Sequence, residues 1–328
     1  MNEQDNKRPF VHCWPGTPYD LDPELLASKT DELSPAFRQL LANESIEDKI
    51  DALLPSVYLP LAVWLAKHHT GKPMIVGLNG GQGTGKSTLG KILRMILEQG
   101  FGKRVEILSL DDLYLSPEAR QQRAESIHPL FRTRGVPGTH DVGLGIALFE
   151  QFRQQDSQTR LKLPVFDKAS DRPRPEAEWS VVSCPIDILI FEGWCVGAAP
   201  QSERELVTPV NALERNEDAD GTWRRSVNHF LLHEYQRLFS YIDLLIMLKV
   251  PGMEQVRQWR HLQEQKLAAS QQGAAGGRPV MDSEALERFI MHYERLTLAQ
   301  LQEMPQRADL VLELDIDHQV CAVRINPA

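Results

Sequence analysis

Cysteine is scarce in this chain: there are four in 328 residues, and Cys13, Cys184, Cys195 and Cys321 lie far apart with no C-x-x-C pair. This spacing suggests neither a zinc site nor a disulfide framework, and reduced, mostly buried thiols of a cytoplasmic protein are the expectation. No Lys/Arg-rich run occurs, and 36 basic against 45 acidic residues leave a formal net charge of -9. That balance argues against general nucleic-acid binding, yet allows one loop to be locally electropositive. Long apolar runs are also missing. The polar start MNEQDNKRPF leads into no signal core, and stretches such as residues 244–248 are far too short to cross a bilayer, so neither a secretory peptide nor a membrane partner is expected. The sequence has no internal repeat, no signal of oligomeric state and no N-K-x-D motif; the last absence argues against a GTPase switch.

What is present is ordinary globular composition, 42% hydrophobic and 25% charged, in a chain long enough for one large α/β domain with an appended segment. Residues 1–70 read as a helical extension. Leu25, Leu33, Phe37, Leu40 and Leu41 recur at helical spacing, as do Ile46, Ile50, Leu53 and Leu54. From Met74 the pattern changes to short apolar runs. Strands are expected at residues 74–78, 105–110, 186–191, 244–250 and 310–314, with helices at 226–239, 253–267 and 282–296 among the intervening segments. Alternation of this kind predicts an α/β fold with a mainly parallel five-stranded sheet and helices on both faces, spanning residues 71–328. Two segments read as flexible: the charged stretch 216–221, and the low-complexity stretch 268–277.

The central motif is Gly80-Gly81-Gln82-Gly83-Thr84-Gly85-Lys86-Ser87, followed by Thr88. It matches G-x-x-x-x-G-K-[ST] between an apolar strand and an amphipathic helix, the context in which that pattern binds a nucleotide triphosphate. Glycines let backbone amides turn toward phosphate oxygens, and the helix N-terminus adds a positive dipole. Lys86 supplies a cation for the outer phosphates and Ser87 a hydroxyl for Mg²⁺. ATP and Mg²⁺ are therefore the expected cofactors, on a P-loop NTPase fold.

Three further features point to phosphoryl transfer. The second strand ends at Asp111 and Asp112, where a carboxylate facing the γ-phosphate can take the proton of an attacking hydroxyl; Asp111 is the favoured base. The third strand ends at Glu192, placed to hold Mg²⁺ or a water bound to it. Arg257 and Arg260, three apart on a predicted helix, share one face, and that helix is read as a cationic lid over the phosphates, in a region of about 253–280.

With these residues in place the chain resembles the phosphoribulokinase, uridine kinase and pantothenate kinase superfamily, and more closely the D-glycerate 3-kinase family. The runs that carry the likeness are Leu59-Pro60-Leu61-Ala62-Val63-Trp64-Leu65, the Gly-rich loop from Gly77 to Thr88, and Ser109-Leu110-Asp111-Asp112-Leu113-Tyr114. Further on come Arg134-Gly135-Val136-Pro137-Gly138-Thr139-His140-Asp141, Pro164-Val165-Phe166-Asp167-Lys168, Phe191-Glu192-Gly193-Trp194-Cys195-Val196-Gly197, and Trp259-Arg260 with Gln263-Glu264. The resemblance implies transfer of the γ-phosphoryl of ATP to the 3-hydroxyl of D-glycerate, a small-molecule substrate; the alternatives are a kinase for another small hydroxyl metabolite, a nucleoside or a pantothenate-like alcohol, and an ATP-binding regulatory protein. Asp111 takes the position of the superfamily's acidic base. Such an acceptor carries a carboxylate, so cations are expected around it. Asp112, Tyr114, Arg134, His140 and Lys168 are the candidates for the acceptor side.

Overall fold

Along the chain, the computed structural model describes residues 23–44, 46, 51–270 and 281–326. Helix α1 (Pro23–Asn43), a π-turn at Leu54–Tyr58 and α2 (Leu59–His68) precede strand β1 (Met74–Gly80). Helix α3 (Lys86–Phe101), β2 (Val105–Ser109), α4 (Pro117–Ser126) and α5 (Val142–Arg153) follow. Then come β3 (Arg160–Leu163), β4 (Phe166–Asp167), β5 (Arg172–Pro173), β6 (Ser180–Ser183) and β7 (Ile188–Gly193). Helices α6 (Ala212–Glu217), α7 (Thr222–Phe230) and α8 (Gln236–Phe239) lead to β8 (Leu244–Lys249). The chain continues through α9 (Met253–Ser270), α10 (Ser283–Glu303), β9 (Leu310–Leu314) and β10 (Val320–Ile325).

Every residue of β1 is buried, because helices cover both faces of the sheet; that is why the strand reads as an unbroken apolar run. Its alternate side chains serve two cores. Met74, Val76 and Leu78 pack with α1, α2 and α3 through Leu33, Phe37, Trp64, Leu93 and Ile96. On the other face Ile75 joins Phe149, Phe191 and Tyr235. The strand order is β10-β9-β8-β1-β7-β2. All neighbours are parallel except β9 and β10. In register, Glu192 of β7 lies between Leu78 of β1 and Ser109 of β2. The Gly-rich loop, Glu192 and Asp111 therefore emerge at one edge, the carboxyl end where ligands of open α/β sheets bind.

The five expected strands are present, and a sixth, β10, extends the sheet beyond the five read from sequence. Its pattern Val320-Cys321-Ala322-Val323-Arg324-Ile325 gives no clean alternation because the pairing slips between Val320 and Ala322, and it is an edge strand with partly exposed residues. Two small pairs, β3–β6 and β4–β5, were also unread; β4 and β5 are two residues each and leave no periodicity. The charged stretch 216–221 is not a flexible loop. Its first two residues end α6, and Asp218 is buried, accepting from the backbone N–H of Trp223 (2.6 Å) and from Arg224 Nη1 (2.8 Å). Residues 268–270 belong to α9, while 271–277 of the expected linker lie outside the described residues. Among the described residues no helix is long and apolar enough to cross a membrane.

Candidate active site

Gly83 and Gly85 have φ of +79° and +87°, the left-handed region that glycine enters without a Cβ clash. The second of these starts α3, so the first amides of the helix point toward the cleft beside the loop. Thr84 Oγ1 donates to Gly81 O (2.8 Å), and Lys86 Nζ donates to the same carbonyl (3.0 Å), drawing the loop into a closed turn. Burial lowers the Lys86 ammonium below the usual lysine range, against the pull of Glu192 and Asp111. Ser87 Oγ donates to Glu192 Oε1 (2.8 Å), joining the hydroxyl and the carboxylate that the sequence assigned to a cation. Among the described residues no cluster of three or more His, Cys, Asp or Glu could hold a metal alone. The Ser87–Glu192 oxygen pair is the donor set that suits Mg²⁺ shared with phosphates.

A cleft of about 710 Å³ runs across this edge. Residues 82–88 line its centre, together with Asp111, Tyr114, Arg134, Lys168, Glu192 and Arg260. Asp111 is reached by Lys168, whose Nζ donates to Oδ2 at 2.6 Å. Burial alone would raise the Asp111 carboxyl; Lys168, by charge and hydrogen bond, with a smaller contribution from Lys86, brings it below the usual carboxylate range. Arg134 pairs with Asp171 and lies 5.5 Å over the Phe166 ring and 5.9 Å over that of Tyr114. Its guanidinium is thus itself held in place at the cleft wall, by the Asp171 carboxylate and by the two rings.

Several expected site residues stand elsewhere. Arg257 does not line the cleft. It turns toward α10 and pairs with Glu287 (2.9 Å) and Glu294 (2.5 Å). Residues three apart share a broad face, but acidic partners on α10 capture one of the two. Arg260 does reach the cleft, buried, paired with Glu264 (2.8 Å) and stacked over Phe289. Asp112 faces away from the cleft: its Oδ1 accepts from Phe166 N (3.0 Å), anchoring the β4–β5 hairpin, and burial pushes its carboxyl up to about 6. His140 lies behind Tyr114, stacked on it at 4.4 Å, with Nδ1 2.6 Å from the Tyr235 hydroxyl. It is wholly buried, and burial holds its imidazole down at about 3.

Residues that sequence reasoning left unassigned complete the walls. Trp194, two residues past Glu192, donates Nε1 to Gly135 O (2.9 Å) and packs edge-on to Tyr293 of α10. At the opposite end Leu53, Tyr58, Leu312, Leu314, Val320 and the turn at Asp317 and His318 enclose an apolar recess. His318 stacks on Trp259 (3.6 Å between ring centroids) and contacts Gly83 O at 3.0 Å. Position two past a strand-end acid was the one local signal for Trp194; Tyr293 and His318 arrive from distant sequence.

The chain is 32% identical over 232 residues to an uncharacterized kinase of Schizosaccharomyces pombe, mug58, an alignment covering 68% of this chain and 79% of that protein. With the chloroplastic D-glycerate 3-kinase of Arabidopsis thaliana it shares 26% identity over 288 residues, 82% of this chain but 60% of that protein, so it spans less than two thirds of this longer relative. The solved structure of a D-glycerate 3-kinase from Cryptococcus neoformans superposes with a TM-score of 0.67 at 25% identity, covering 81% of this chain and 97% of that one. The chain belongs to the D-glycerate 3-kinase family. It is an ATP-dependent small-molecule kinase of the P-loop type. No protein-family model matches the chain.

Besides His69, which burial and then Lys103 also lower, this family member carries among its described residues two histidines held neutral by burial: His140, at about 3, and His292, at about 4. Both lie below the ordinary value of 6.5, so the unfolded chain takes up protons first as pH falls. Their stabilising effect is complete above pH 6.5 and is lost on acidification toward pH 4, by about 1.4 kcal/mol per pH unit for each histidine. Urea titrations at a series of pH values are expected to show this slope, and His292→Leu to flatten it by about one proton's worth. An unchanged slope in that variant would remove His292 from the account.

Proposed function

We propose that this kinase transfers the γ-phosphoryl group of ATP to the 3-hydroxyl of D-glycerate, giving 3-phosphoglycerate and ADP. The observation that carries the reading is the convergence of one carboxylate and two cations, Asp111, Lys168 and Arg134, on the wall of the cleft that also holds the Gly-rich loop. Trp194, Tyr293 and Tyr114 line the same cleft, and rings of that bulk beside the two cations would favour a short hydroxy acid over a bulky alcohol. Arg134 and Lys168 would take the acceptor's carboxylate, the charge-assisted contact such an anion needs. The relatives of known activity, D-glycerate 3-kinases from a plant and a fungus, support the same acceptor.

In this reading residues 80–88 wrap the triphosphate, with Lys86 on the outer phosphates. The adenine enters the apolar recess between Leu53, Tyr58, Leu314 and Val320. Ser87 and Glu192 would hold Mg²⁺, which neutralises charge building on the β- and γ-phosphates. The acceptor oxygen bonds to the γ-phosphorus as the bond to the β–γ bridging oxygen breaks, and that electron pair leaves on ADP. The hydroxyl proton passes to Asp111. Arg260, which lines the same cleft, would offset the transferred charge, while Arg257 is left to brace α9 on α10.

A panel of acceptors with ATP and Mg²⁺ tests the assignment. D-glycerate is expected to raise ADP release well above the acceptor-free rate, with L-glycerate, glycerol, pantothenate and uridine far behind. ADP release that responds to one of those and not to D-glycerate would reassign the acceptor.

A further inference from the structure

Lys168 sits at the tip of the β4–β5 hairpin, and the hairpin is pinned on several sides. Asp112 accepts from Phe166 N (3.0 Å), Asp171 pairs with Arg120 (2.5 Å) and with Arg134, and Arg172 pairs with Glu118 (2.6 Å). Within the turn, Asp167 accepts from Ala169 N (3.0 Å) and Ser170 Oγ (2.8 Å). The backbone under Lys168 is therefore fixed. Its side chain is 51% exposed and spends its ammonium on Asp111 Oδ2 at 2.6 Å. A four-carbon stem on a fixed base can swing its charge over several ångströms at little cost.

A carboxylate locked in an ion pair is a poor proton acceptor. A kinase also has to keep water, present at high concentration, from attacking the γ-phosphorus. The acceptor's carboxylate would arrive between Arg134 and Lys168 and compete with Asp111 for the same ammonium.

We propose that Lys168 is a specificity-determining guard: it occupies Asp111 until an anionic acceptor draws the ammonium away, so the base is released only for hydroxyls that travel with a carboxylate. The inference rests on Asp111 being the base, as proposed above. With glycerate bound, Lys168 moves to the substrate carboxylate and Asp111 takes the hydroxyl proton. With water alone, Lys168 stays and the attack that would form inorganic phosphate and ADP lacks a base. Lys168 acts through Asp111 and is in that sense a positioning residue.

The test is ADP and inorganic phosphate release from the full chain with ATP and Mg²⁺ in three arms: no acceptor, D-lactate, and D-glycerate. D-lactate offers the carboxylate without a 3-hydroxyl, and is used at concentrations that compete with D-glycerate. In the parent, D-lactate is expected to stimulate phosphate release. In Lys168→Met the acceptor-free rate rises roughly tenfold, a modest share of what a positioned base supplies, and no longer responds to D-lactate, while KM for D-glycerate increases. Lys168→Arg, which keeps the cation, restores the low acceptor-free rate. An acceptor-free rate in Lys168→Met no higher than in the parent overturns the proposal, even if KM rises, since that pattern belongs to a residue that only binds substrate. The double variant Lys168→Met/Asp111→Asn separates the two layers: a raised rate that persists there overturns the assignment of Asp111 itself. Lys168 is half exposed, so a matched thermal melt is expected to show all variants folded.

Discussion

Asp111→Asn is expected to lower kcat by about 10²–10⁴, the range for losing a positioned base, while ATP affinity stays within a few-fold of the parent. Asparagine has the shape of the carboxylate and can still accept from Lys168, so the local geometry survives. What is lost is the lone pair basic enough to take the acceptor's proton. The partner left behind does not confuse the result. Lys168 is half exposed, and an ammonium in that setting is readily solvated when its carboxylate is removed. The backbone N–H of Asp111 keeps its bond to Ser109 Oγ (3.3 Å), so the short turn after β2 is retained. Steady-state ADP release beside a direct measurement of nucleotide binding checks both halves. Turnover within a few-fold of the parent would take Asp111 out of the chemistry.

The second large effect lies away from the cleft. Glu214 is fully buried, and its two oxygens take Arg295 Nε (2.6 Å) and Nη2 (2.7 Å). Val210 N adds a third donor at 2.9 Å. Arg295 also donates to Glu205 O (2.8 Å) and Thr208 O (2.6 Å). The pair therefore ties α6 and the preceding loop to α10. Glu214→Ala leaves a buried guanidinium with carbonyl dipoles and no counter-charge. The expected loss is about 3–5 kcal/mol of unfolding free energy. Glu214→Gln, which keeps one acceptor, should lose less. Urea unfolding measures both. A loss under about 1 kcal/mol for the alanine variant would mean that water enters and solvates Arg295. Because α10 also carries Tyr293 into the wall of the acceptor corner, a partly folded variant is expected to lose affinity for the acceptor before it loses nucleotide.

The parts of the fold that were legible before the structure are those governed by short-range rules. Residues 74–78 read as a strand because both faces are covered and nothing polar interrupts them, and residues 310–314 because Glu313 alone breaks an apolar run. The Gly-rich loop was legible because its chemistry requires a fixed spacing. Glu192 was legible because it closes the apolar strand β7 beside β1, and Asp111 because it follows the end of β2, which pairs with β7 rather than with β1 and has Ser109 in register with Glu192. The failures share a different cause. Arg257 and Arg260 differ by three positions, which says they neighbour each other but not what each faces; Glu287 and Glu294, thirty and more residues later, decide that. Asp112 was grouped with Asp111 by adjacency, yet the tight turn at Leu110–Leu113 sends the two carboxylates in different directions. His140 flanks a Gly/Pro turn that reads as a fixed loop near the acceptor, while Tyr114 and Tyr235 close over it and bury it. The charged stretch at 216–221 looked solvated because Arg224, which neutralises Asp218, comes after the stretch ends.

The contact between His318 and the Gly83 carbonyl joins positions 235 residues apart. During synthesis the Gly-rich loop leaves the ribosome long before the turn that buttresses it has been translated. Until that turn docks, Trp259 has no ring to stack on and the recess behind the loop has no far wall. The Gly-rich motif thus exists as a finished stretch of sequence well before this wall of the cleft can be assembled around it.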